Sequence, residues 1–204
     1  MIAIIDYGSG NVSAVANIYK QLSIPHAVTS DHDLIQSADR YILPGVGAFD
    51  KVISDLEDRG LRAILDHQVL HLKKKVMGIC IGMQILANSS EEGSLPGLGW
   101  IPGRIRRIDE TRISGKPKLP HMGWNSITPS GPSHLMDGID IARGFYFLHS
   151  YFFDADSTQD VIATVNVGTD ITCAVAHENI FGLQFHPEKS HANGVQIFRN
   201  FAEL

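Results

Sequence analysis

Residues 76–84 read VMGICIGMQ and place Cys80 between Gly78 and Gly82, directly after an apolar run. A structural cysteine needs no such neighbours, because it packs as a small hydrophobe in any strand or helix. Glycines on both sides of a reactive side chain indicate a forced turn, because they remove the Cβ atoms that would crowd it. The stretch therefore predicts a strand, a sharp turn that presents Cys80, and a helix beginning within GMQILAN.

The same alternation of strand, turn and helix recurs through the first hundred residues. Helical spacing marks NVSAVANIYKQL (11–22), and short apolar runs are IAIID (2–6), HAVTS (26–30), YIL (41–43) and KVMGI (75–79). This order predicts a central, mostly parallel sheet flanked by helices, which is an α/β fold.

A different pattern of β-branched and aromatic runs begins after about residue 100. The runs RIRRI, FYFLHSYFF, DVIATVNV, ITCAVAHE and IFGLQF are separated by Gly, Pro and Asp, which predicts added antiparallel strands in the C-terminal half. Residues 190–204 have apolar residues three apart and predict a final helix. No linker divides the chain, so we expect one domain over residues 1–204.

Composition narrows the function class. The chain has 204 residues, of which 44% are hydrophobic and 19% charged, with a net charge of -5. Such a balance gives no electrostatic reason to expect nucleic acid and favours small-molecule substrates. The sequence shows neither a signal-peptide pattern nor an apolar run long enough to span a membrane, so we expect a cytoplasmic protein.

One basic segment, RIRRIDETRISGKPK (104–118), carries six basic residues interrupted by Asp109 and Glu110. A solvated strand and loop is the favoured interpretation, and a polyanion site is the alternative.

Two cysteines occur, Cys80 and Cys173, which is too few for a disulfide framework or a Cys-rich zinc site. A helix start after Cys80 would favour its thiolate and leave the Ile81 N–H available to a developing oxyanion. The alternative is that Cys80 is only a core residue at the end of a strand. Cys173 lies in the alternating ITCAVAHE and is interpreted as a packed strand residue.

A cysteine nucleophile needs a base and a group that orients the base. Among ten histidines, His186 stands out because it ends an apolar run and precedes Pro187, which fixes the local backbone. Glu188 follows two residues later, so an extended His-Pro-Glu segment would point both side chains the same way. The hypothesis is a Cys80–His186–Glu188 triad, although His-Pro-Glu alone is a weak signal.

The stretch LPGVGAF (43–49) is a second apolar run that ends in a Gly-rich turn. Such a turn can direct backbone N–H groups into a cleft at the sheet edge, as a second oxyanion donor or a binding loop. A simple connection between strand and helix is the alternative.

Taken together, the PG-x-G loop, G-x-C-x-G-M-Q and the late H-P-E resemble the class I, triad-type glutamine amidotransferases over essentially the whole chain. The resemblance implies that family's fold and the hydrolysis of glutamine to glutamate and ammonia through a cysteine thioester. It implies Cys80 as nucleophile, His186 as general acid and base and Glu188 as its partner, with Val46 and Ile81 supplying oxyanion N–H groups. The implied glutamine contacts are Gly45, Gly47, Gln84, Ser150 and Tyr151.

Within that family, IIDYGSGN at the start, LPGVGAF, PHMGWN (120–125) and FLHSYFF (147–153) resemble stand-alone glutaminases whose partner is a (βα)8-barrel cyclase of histidine biosynthesis. The chain is too short to hold that second activity, so a heterodimer is implied. The implied interface residues are Asn11, Met122, Trp124 and Lys189. Each of three has an ordinary alternative: a helix N-cap for Asn11, core packing for Trp124 and a solvated helix start for Lys189.

Three rival functions remain open. The glutaminase of pyridoxal phosphate synthase has a similar size but normally carries PGGES, which is absent here. A cysteine hydrolase of another amide or ester would share the turn, and a non-catalytic binding protein would have lost a triad residue. We predict no metal and no cofactor, because His186 and His191 have no accompanying ligand set and no phosphate loop occurs.

Overall fold

The computed structural model describes residues 1–114 and 118–204. Its strands are β1 (Ile2–Ile5), β2 (His26–Thr29), β3 (Arg40–Gly45), β4 (Lys75–Cys80), β5 (Ser89–Ser90), β6 (Gly103–Arg107), β7 (His121–Asn125), β8 (Thr128–Pro129), β9 (Phe145–His149), β10 (Tyr151–Ala155), β11 (Val161–Asn166), β12 (Asp170–His177) and β13 (Ile180–Leu183). Its α-helices are α1 (Val12–Gln21), α2 (His32–Ser37), α3 (Phe49–Asp58), α4 (Leu61–Asp66), α5 (Ile81–Gln84) and α6 (His191–Glu203).

The largest sheet has eight strands in the order β2-β1-β3-β4-β13-β12-β11-β8. Strands β2, β1, β3 and β4 are mutually parallel, as the alternation of short apolar runs and helices predicts. Strands β12, β11 and β8 extend the sheet in antiparallel fashion. The α/β class with added antiparallel strands is therefore confirmed.

Strand β13 corrects one expectation, because it pairs parallel to β4 with Leu183 opposite Ile79. It is antiparallel only to β12, from which a two-residue turn at residues 178–179 separates it. An apolar run carries no signal for strand direction, and the reversal after β12 sets it here. As a result, the chain leaving β13 emerges at the same sheet edge as the end of β4.

The aromatic run FYFLHSYFF is two strands rather than one. Strand β9 pairs with β7 in a two-stranded sheet, whereas β10 pairs with β6 in a three-stranded sheet. The change of partner falls at Ser150, which belongs to neither strand. This break turns Ser150 and Tyr151 toward the edge of the large sheet where β4 ends.

Both faces of the central strands β1, β3 and β4 are buried, as expected for parallel strands covered by helices. In β1, Ile5 joins a hydrophobic cluster that includes Leu56 of α3, and Ile4 joins the cluster of the opposite face. That second cluster holds Tyr19 of α1 and Phe198 of α6, whose rings are 5.3 Å apart. Helix α6 therefore packs on the same face as α1, and the predicted final helix is confirmed.

The arginines of the basic segment are paired with carboxylates. Arg104 and Arg106 approach Asp154, and Arg107 pairs with Glu110. This pairing on an exposed strand fits the solvated interpretation better than a polyanion site. Residues 115–117 of the segment lie outside the described residues.

Candidate active site

Cys80 is the last residue of β4 and adopts φ +57° and ψ -114°, a backbone conformation that non-glycine residues rarely adopt. The glycines on either side permit this turn through close approach of the backbone. A Cβ on Gly82 would lie 1.9 Å from the Leu43 carbonyl oxygen, and one on Gly78 would lie 2.2 Å from the Gly82 oxygen. Both positions therefore exclude any side chain, which explains the G-x-C-x-G spacing.

The helix after Cys80 is shorter than GMQILAN suggests, because α5 is a single turn that ends at Gln84. Its dipole is correspondingly small. Ile81 is its first residue, so its N–H has no acceptor within the helix. That position is the one that an oxyanion donor next to Cys80 requires.

His186 reaches the same sheet edge from β13. The His-Pro-Glu segment is not fully extended, because Pro187–Lys189 form a 3-10 turn after an extended His186. The turn still brings His186 Nδ1 to 2.8 Å from Glu188 Oε1, and both side chains are at most 3% exposed. Glu188 Oε2 accepts no hydrogen bond from the described residues. Glu188 can therefore fix the imidazole so that Nδ1 carries its proton toward the carboxylate.

The electrostatics of His186 favour a charged imidazole. Burial lowers the pKa of His186, but hydrogen bonds and charges of Cys80 and Glu188 outweigh burial and raise the pKa to about 9. A base that gains a proton from a thiol, and is then held as imidazolium beside two anions, is suited to nucleophilic catalysis.

A small cavity of about 120 Å³ opens over the end of β4. Its lining residues are Gly47, Cys80, Ile81, Gln84, Glu92, Leu148, His149, Ser150 and Tyr151. Four of the five predicted glutamine contacts are among them, and Gly45 is not. Gly45 lies under the turn instead, because a Cβ there would be 2.1 Å from Ile81 Cγ2.

The side chain of Gln84 lines the cavity and also makes hydrogen bonds behind the cavity wall. Its Nε2 donates to Gln184 Oε1 at 3.0 Å and to the Tyr151 carbonyl at 3.5 Å. This bond orients the Gln184 amide so that its own Nε2 lies 3.9 Å from Cys80 Sγ. Gln84 therefore also supports the residue that approaches the thiol.

Val46 lies away from the Cys80 cavity in this structure. Its N–H donates to Ser9 Oγ at 3.3 Å, and its carbonyl accepts a hydrogen bond from the same hydroxyl. Val46 instead lines a neighbouring groove with Ser9 and Arg59. An oxyanion role for Val46 therefore requires its peptide to leave Ser9.

Sequence reasoning missed four residues near the thiol: Glu92, Leu148, His149 and Gln184. Gln184 offered a signal, because it is a polar residue inside the apolar run that leads to His186. Glu92 offered none, because it reaches the site from a loop by accepting the Phe49 N–H at 2.9 Å. Cys173 is fully buried in β12, and burial raises the pKa of its thiol, in agreement with its interpretation as a packed residue.

The predicted interface residues lie at the surface beside this cavity. Met122 and Trp124 are 62% and 47% exposed, and they pair across β7 and β9 with Leu148 and Tyr146. These four residues form one face, called here the β7–β9 face, and Leu148 also lines the cavity. Core packing of Trp124 is therefore excluded.

The other two predicted interface residues are Asn11 and Lys189. Asn11 occupies the N-cap position of α1, but its side chain makes no capping hydrogen bond. Lys189 ends the 3-10 turn, with Nζ 5.5 Å from the centroid of the Tyr146 ring. Asn11 therefore does not make the capping bond of its structural alternative, whereas Lys189 is exposed just before α6, which fits both the interface and the solvated helix start.

Residues 3–204 match the family model described as "Glutamine amidotransferase class-I". The chain belongs to the class I glutamine amidotransferase family. A relative from Bdellovibrio bacteriovorus, named "Imidazole glycerol phosphate synthase subunit HisH", is 48% identical over 206 residues and covers 100% of both chains. A relative of the same name from Leptospira interrogans is 44% identical over 204 residues, again covering 100% of both.

Solved structures agree with this family at the level of the fold. A crystal structure of a glutamine amidotransferase superposes with a TM-score of 0.72 at 16% identity, covering 100% of both chains. PurLQS from Thermotoga maritima gives 0.69 at 17% identity, covering 99% of this chain and 97% of that one.

Residues 1–114 and 118–204 contain neither a metal-ligand cluster nor a membrane-spanning helix. No group of three or more His, Cys, Asp or Glu side chains in those ranges is placed to hold a metal ion. No helix in the same ranges is long and apolar enough to cross a membrane.

Proposed function

We propose that this chain is the glutaminase subunit of an imidazole glycerol phosphate synthase, with residues 1–204 acting as one glutaminase domain. It hydrolyses L-glutamine to glutamate and ammonia. The ammonia passes to a (βα)8-barrel cyclase that makes imidazole glycerol phosphate and the purine precursor AICAR in histidine biosynthesis. One observation carries the proposal: a buried His186–Glu188 pair meets Cys80 at a cavity, in a chain 48% identical to a relative of that name.

The geometry supports a double displacement at the glutamine side chain. Cys80 Sγ attacks the amide carbon while His186 holds the thiol proton, and His186 then gives that proton to the departing ammonia. Water attacks the resulting thioester with His186 as base, which releases glutamate and restores the thiol. Glu188 keeps Nδ1 protonated and stabilises the imidazolium that forms in both halves.

The oxyanions that form during thioester formation and thioester hydrolysis both need N–H donors. Ile81 supplies one from the start of α5, and Val46 is the proposed second donor after its peptide leaves Ser9. Removing one such donor costs about 10²- to 10³-fold in kcat in a well-studied protease. We therefore expect slow hydrolysis by the chain alone.

The β7–β9 face, together with Asn11 and Lys189, is the proposed contact with the cyclase. It is the exposed apolar surface next to the cavity, and two of its members, Met122 and Trp124, are strongly exposed. Aromatic residues of this kind often anchor interfaces. We also propose the cytoplasm as the compartment, which agrees with two buried free cysteines.

Ammonia release tests this function directly. It is measured for the chain alone, with the cyclase, and with the cyclase and an analogue of its substrate, using glutamine and, as a control, asparagine. We expect ammonia release from glutamine and not from asparagine. Its rate should rise by about 5- to 150-fold, the usual range of coupling between sites, when the cyclase is bound and its substrate site is occupied. Equal rates with and without the filled cyclase would refute the coupled reaction, and equal use of asparagine would point to another amidase.

A pair of surface variants locates the interface. Trp124→Ala should lower the activation by the cyclase, whereas Leu34→Ala should leave it unchanged, because Leu34 is similarly exposed but lies on α2. Equal activation in both variants would place the cyclase on another surface.

A further inference from the structure

A chain of hydrogen bonds that the proposed mechanism does not use runs from β7 to the cavity wall. Asn125 Nδ2 lies 3.3 Å from His121 Nε2, His121 Nδ1 lies 2.9 Å from His149 Nε2, and His149 Nδ1 lies 2.7 Å from the Tyr151 carbonyl oxygen. His149 is 5% exposed and lines the cavity beside Cys80. A histidine pair of this kind, with His149 buried and His121 partly buried, calls for a physical explanation.

The acceptors in this chain of hydrogen bonds determine which ring nitrogen of each histidine carries a proton. A carbonyl oxygen only accepts, so His149 Nδ1 must carry a hydrogen, and the lone pair of its Nε2 then accepts from His121 Nδ1–H. His121 Nε2 is left as an acceptor for the Asn125 amide. The donor end of that amide is fixed independently, because Asn125 Nδ2 also donates to the Asn166 carbonyl at 3.2 Å.

Both imidazoles are therefore neutral and each has a single tautomer. Burial lowers the pKa of His149 to about 3, and the nearby His121 and His186 act in the same direction against a partly opposing bond to Tyr151. Burial also lowers the pKa of His121. His149 thus adds no second positive charge beside the His186 imidazolium.

The chain of hydrogen bonds ends at the Tyr151 carbonyl, which accepts from two side chains. The Tyr151 oxygen accepts from His149 Nδ1 and, more weakly, from Gln84 Nε2 at 3.5 Å. Ser150 and Tyr151 form the cavity wall at the break between β9 and β10. The Ser150 carbonyl accepts the Ile108 N–H at 3.0 Å, so backbone pairing holds that end of the wall. The Tyr151 carbonyl takes the two hydrogen bonds described above from side chains, and a buried carbonyl needs such partners.

We propose that His121 and His149 are positioning residues that hold the Tyr151 carbonyl, and with it the Ser150–Tyr151 wall, in the shape that binds glutamine. His149 acts on the wall directly, and His121 acts through His149 by occupying its Nε2. This inference rests on the proposed glutaminase function. Its effect falls on substrate binding rather than on the chemical step.

Isosteric variants separate the two nitrogen positions of His149. An Asn amide reaches the position of Nδ1 and can still donate to Tyr151, whereas a Gln amide reaches the position of Nε2 and cannot. The dissociation constant for glutamine is measured by calorimetry in a Cys80→Ala background with the cyclase present, so that no turnover occurs. We expect His149→Gln to weaken binding about five- to tenfold, as for one lost hydrogen bond, and His149→Asn to recover most of that loss.

The outer histidine receives a parallel test. His121→Leu removes the donor to His149 Nε2 and should weaken glutamine binding, and His121→Asn, which restores a donor at the Nδ1 position, should recover it. His26→Ala is the control, because His26 Nδ1 makes the same type of bond to a nearby carbonyl, Ile24, at 2.8 Å. Unchanged affinity in both His149→Gln and His121→Leu would overturn the proposal.

Two readouts distinguish positioning from other roles. In Cys80-containing variants, KM should rise while kcat changes by less than about threefold. A fall in kcat at constant KM would assign His149 to the chemistry instead. Long-range proton–nitrogen NMR of the wild-type chain should show His149 protonated at Nδ1 only, and a spectrum with Nε2 protonated would overturn the hydrogen-bond chain.

The NMR result does not depend on glutamine turnover. If the wild-type complex neither binds nor hydrolyses glutamine, the proposed function fails, whatever the tautomer. If it does both and the variants behave as wild type, only the positioning role fails.

Discussion

Replacing Gly82 with alanine is the sharpest test of the turn that presents Cys80. The new Cβ would lie 1.9 Å from the Leu43 carbonyl oxygen of β3, which is backbone held in the sheet and cannot rotate away. An ordinary contact between these atoms needs about 3.4 Å, so α5 and β3 must separate by about 1.5 Å. Ile81 and Cys80 adjoin Gly82 and must move with it.

The displacement sets the expected magnitude. A misplacement of about 1 Å in a catalytic group can cost about 100-fold in rate, so Gly82→Ala should lower kcat/KM for glutamine by at least that factor. Overpacking of this kind costs about 1–3 kcal/mol of stability, which a folded chain can tolerate. The assay is ammonia release with the cyclase present, together with the rate at which a glutamine-like chloroketone alkylates Cys80.

Circular dichroism and urea unfolding show whether the variant is folded. Gly131→Ala is the matched control, because a Cβ there meets nothing within 4 Å. Wild-type kcat/KM and alkylation rate in folded Gly82→Ala would refute the argument that glycine is required at this turn.

Three further predictions concern the triad. Cys80→Ala should abolish thioester formation and Cys173→Ala should not, as measured by mass spectrometry after chloroketone labelling; a label on Cys173 would contradict the assignment. Glu188→Gln removes the charge beside His186 and should lower the His186 pKa, measured by NMR, and reduce kcat by about 10²- to 10⁴-fold, with His186→Ala at least as severe. Because folding raises the His186 pKa, the stabilisation by its charged form is present below about pH 6.5 and is lost as pH rises through about 9, by about 3 kcal/mol at most. The difference in unfolding free energy between wild type and His186→Ala, measured with urea, should therefore shrink at high pH.

The nucleophile turn could be predicted from sequence because its physical requirements leave only glycine at fixed positions around Cys80. Close backbone contacts around Cys80 leave no room for side chains at two fixed positions, so the sequence must have glycine at both. The parallel strands β1, β3 and β4 were predictable because each is buried on both faces and is followed by a helix. Such features can be recognised in the sequence even though the contacting segment, here Leu43 of β3, is known only from the structure.

The direction of β13 and the wall at Ser150 could not be predicted in this way. Both depend on which strand pairs with which, and an apolar run has the same pattern whether its strand is parallel or antiparallel to its neighbour. Val46 shows a further limit. A Gly-rich turn can present an N–H group, but only the structure shows that Ser9 holds that group.

The path of the chain after β9 links the proposed partner face to the general base. The Tyr146 carbonyl accepts the His186 N–H at 2.9 Å, and the Tyr146 N–H donates to Ser190 Oγ at 3.0 Å. Ser190 Oγ in turn donates to the His186 carbonyl at 2.6 Å. Because the ring of Tyr146 lies on the β7–β9 face beside Trp124, one residue contacts the proposed interface through its side chain and His186 through its backbone. A shift of β9 must therefore either move His186 relative to Cys80 or break these bonds, so a partner seated on this face would act on the base through Tyr146.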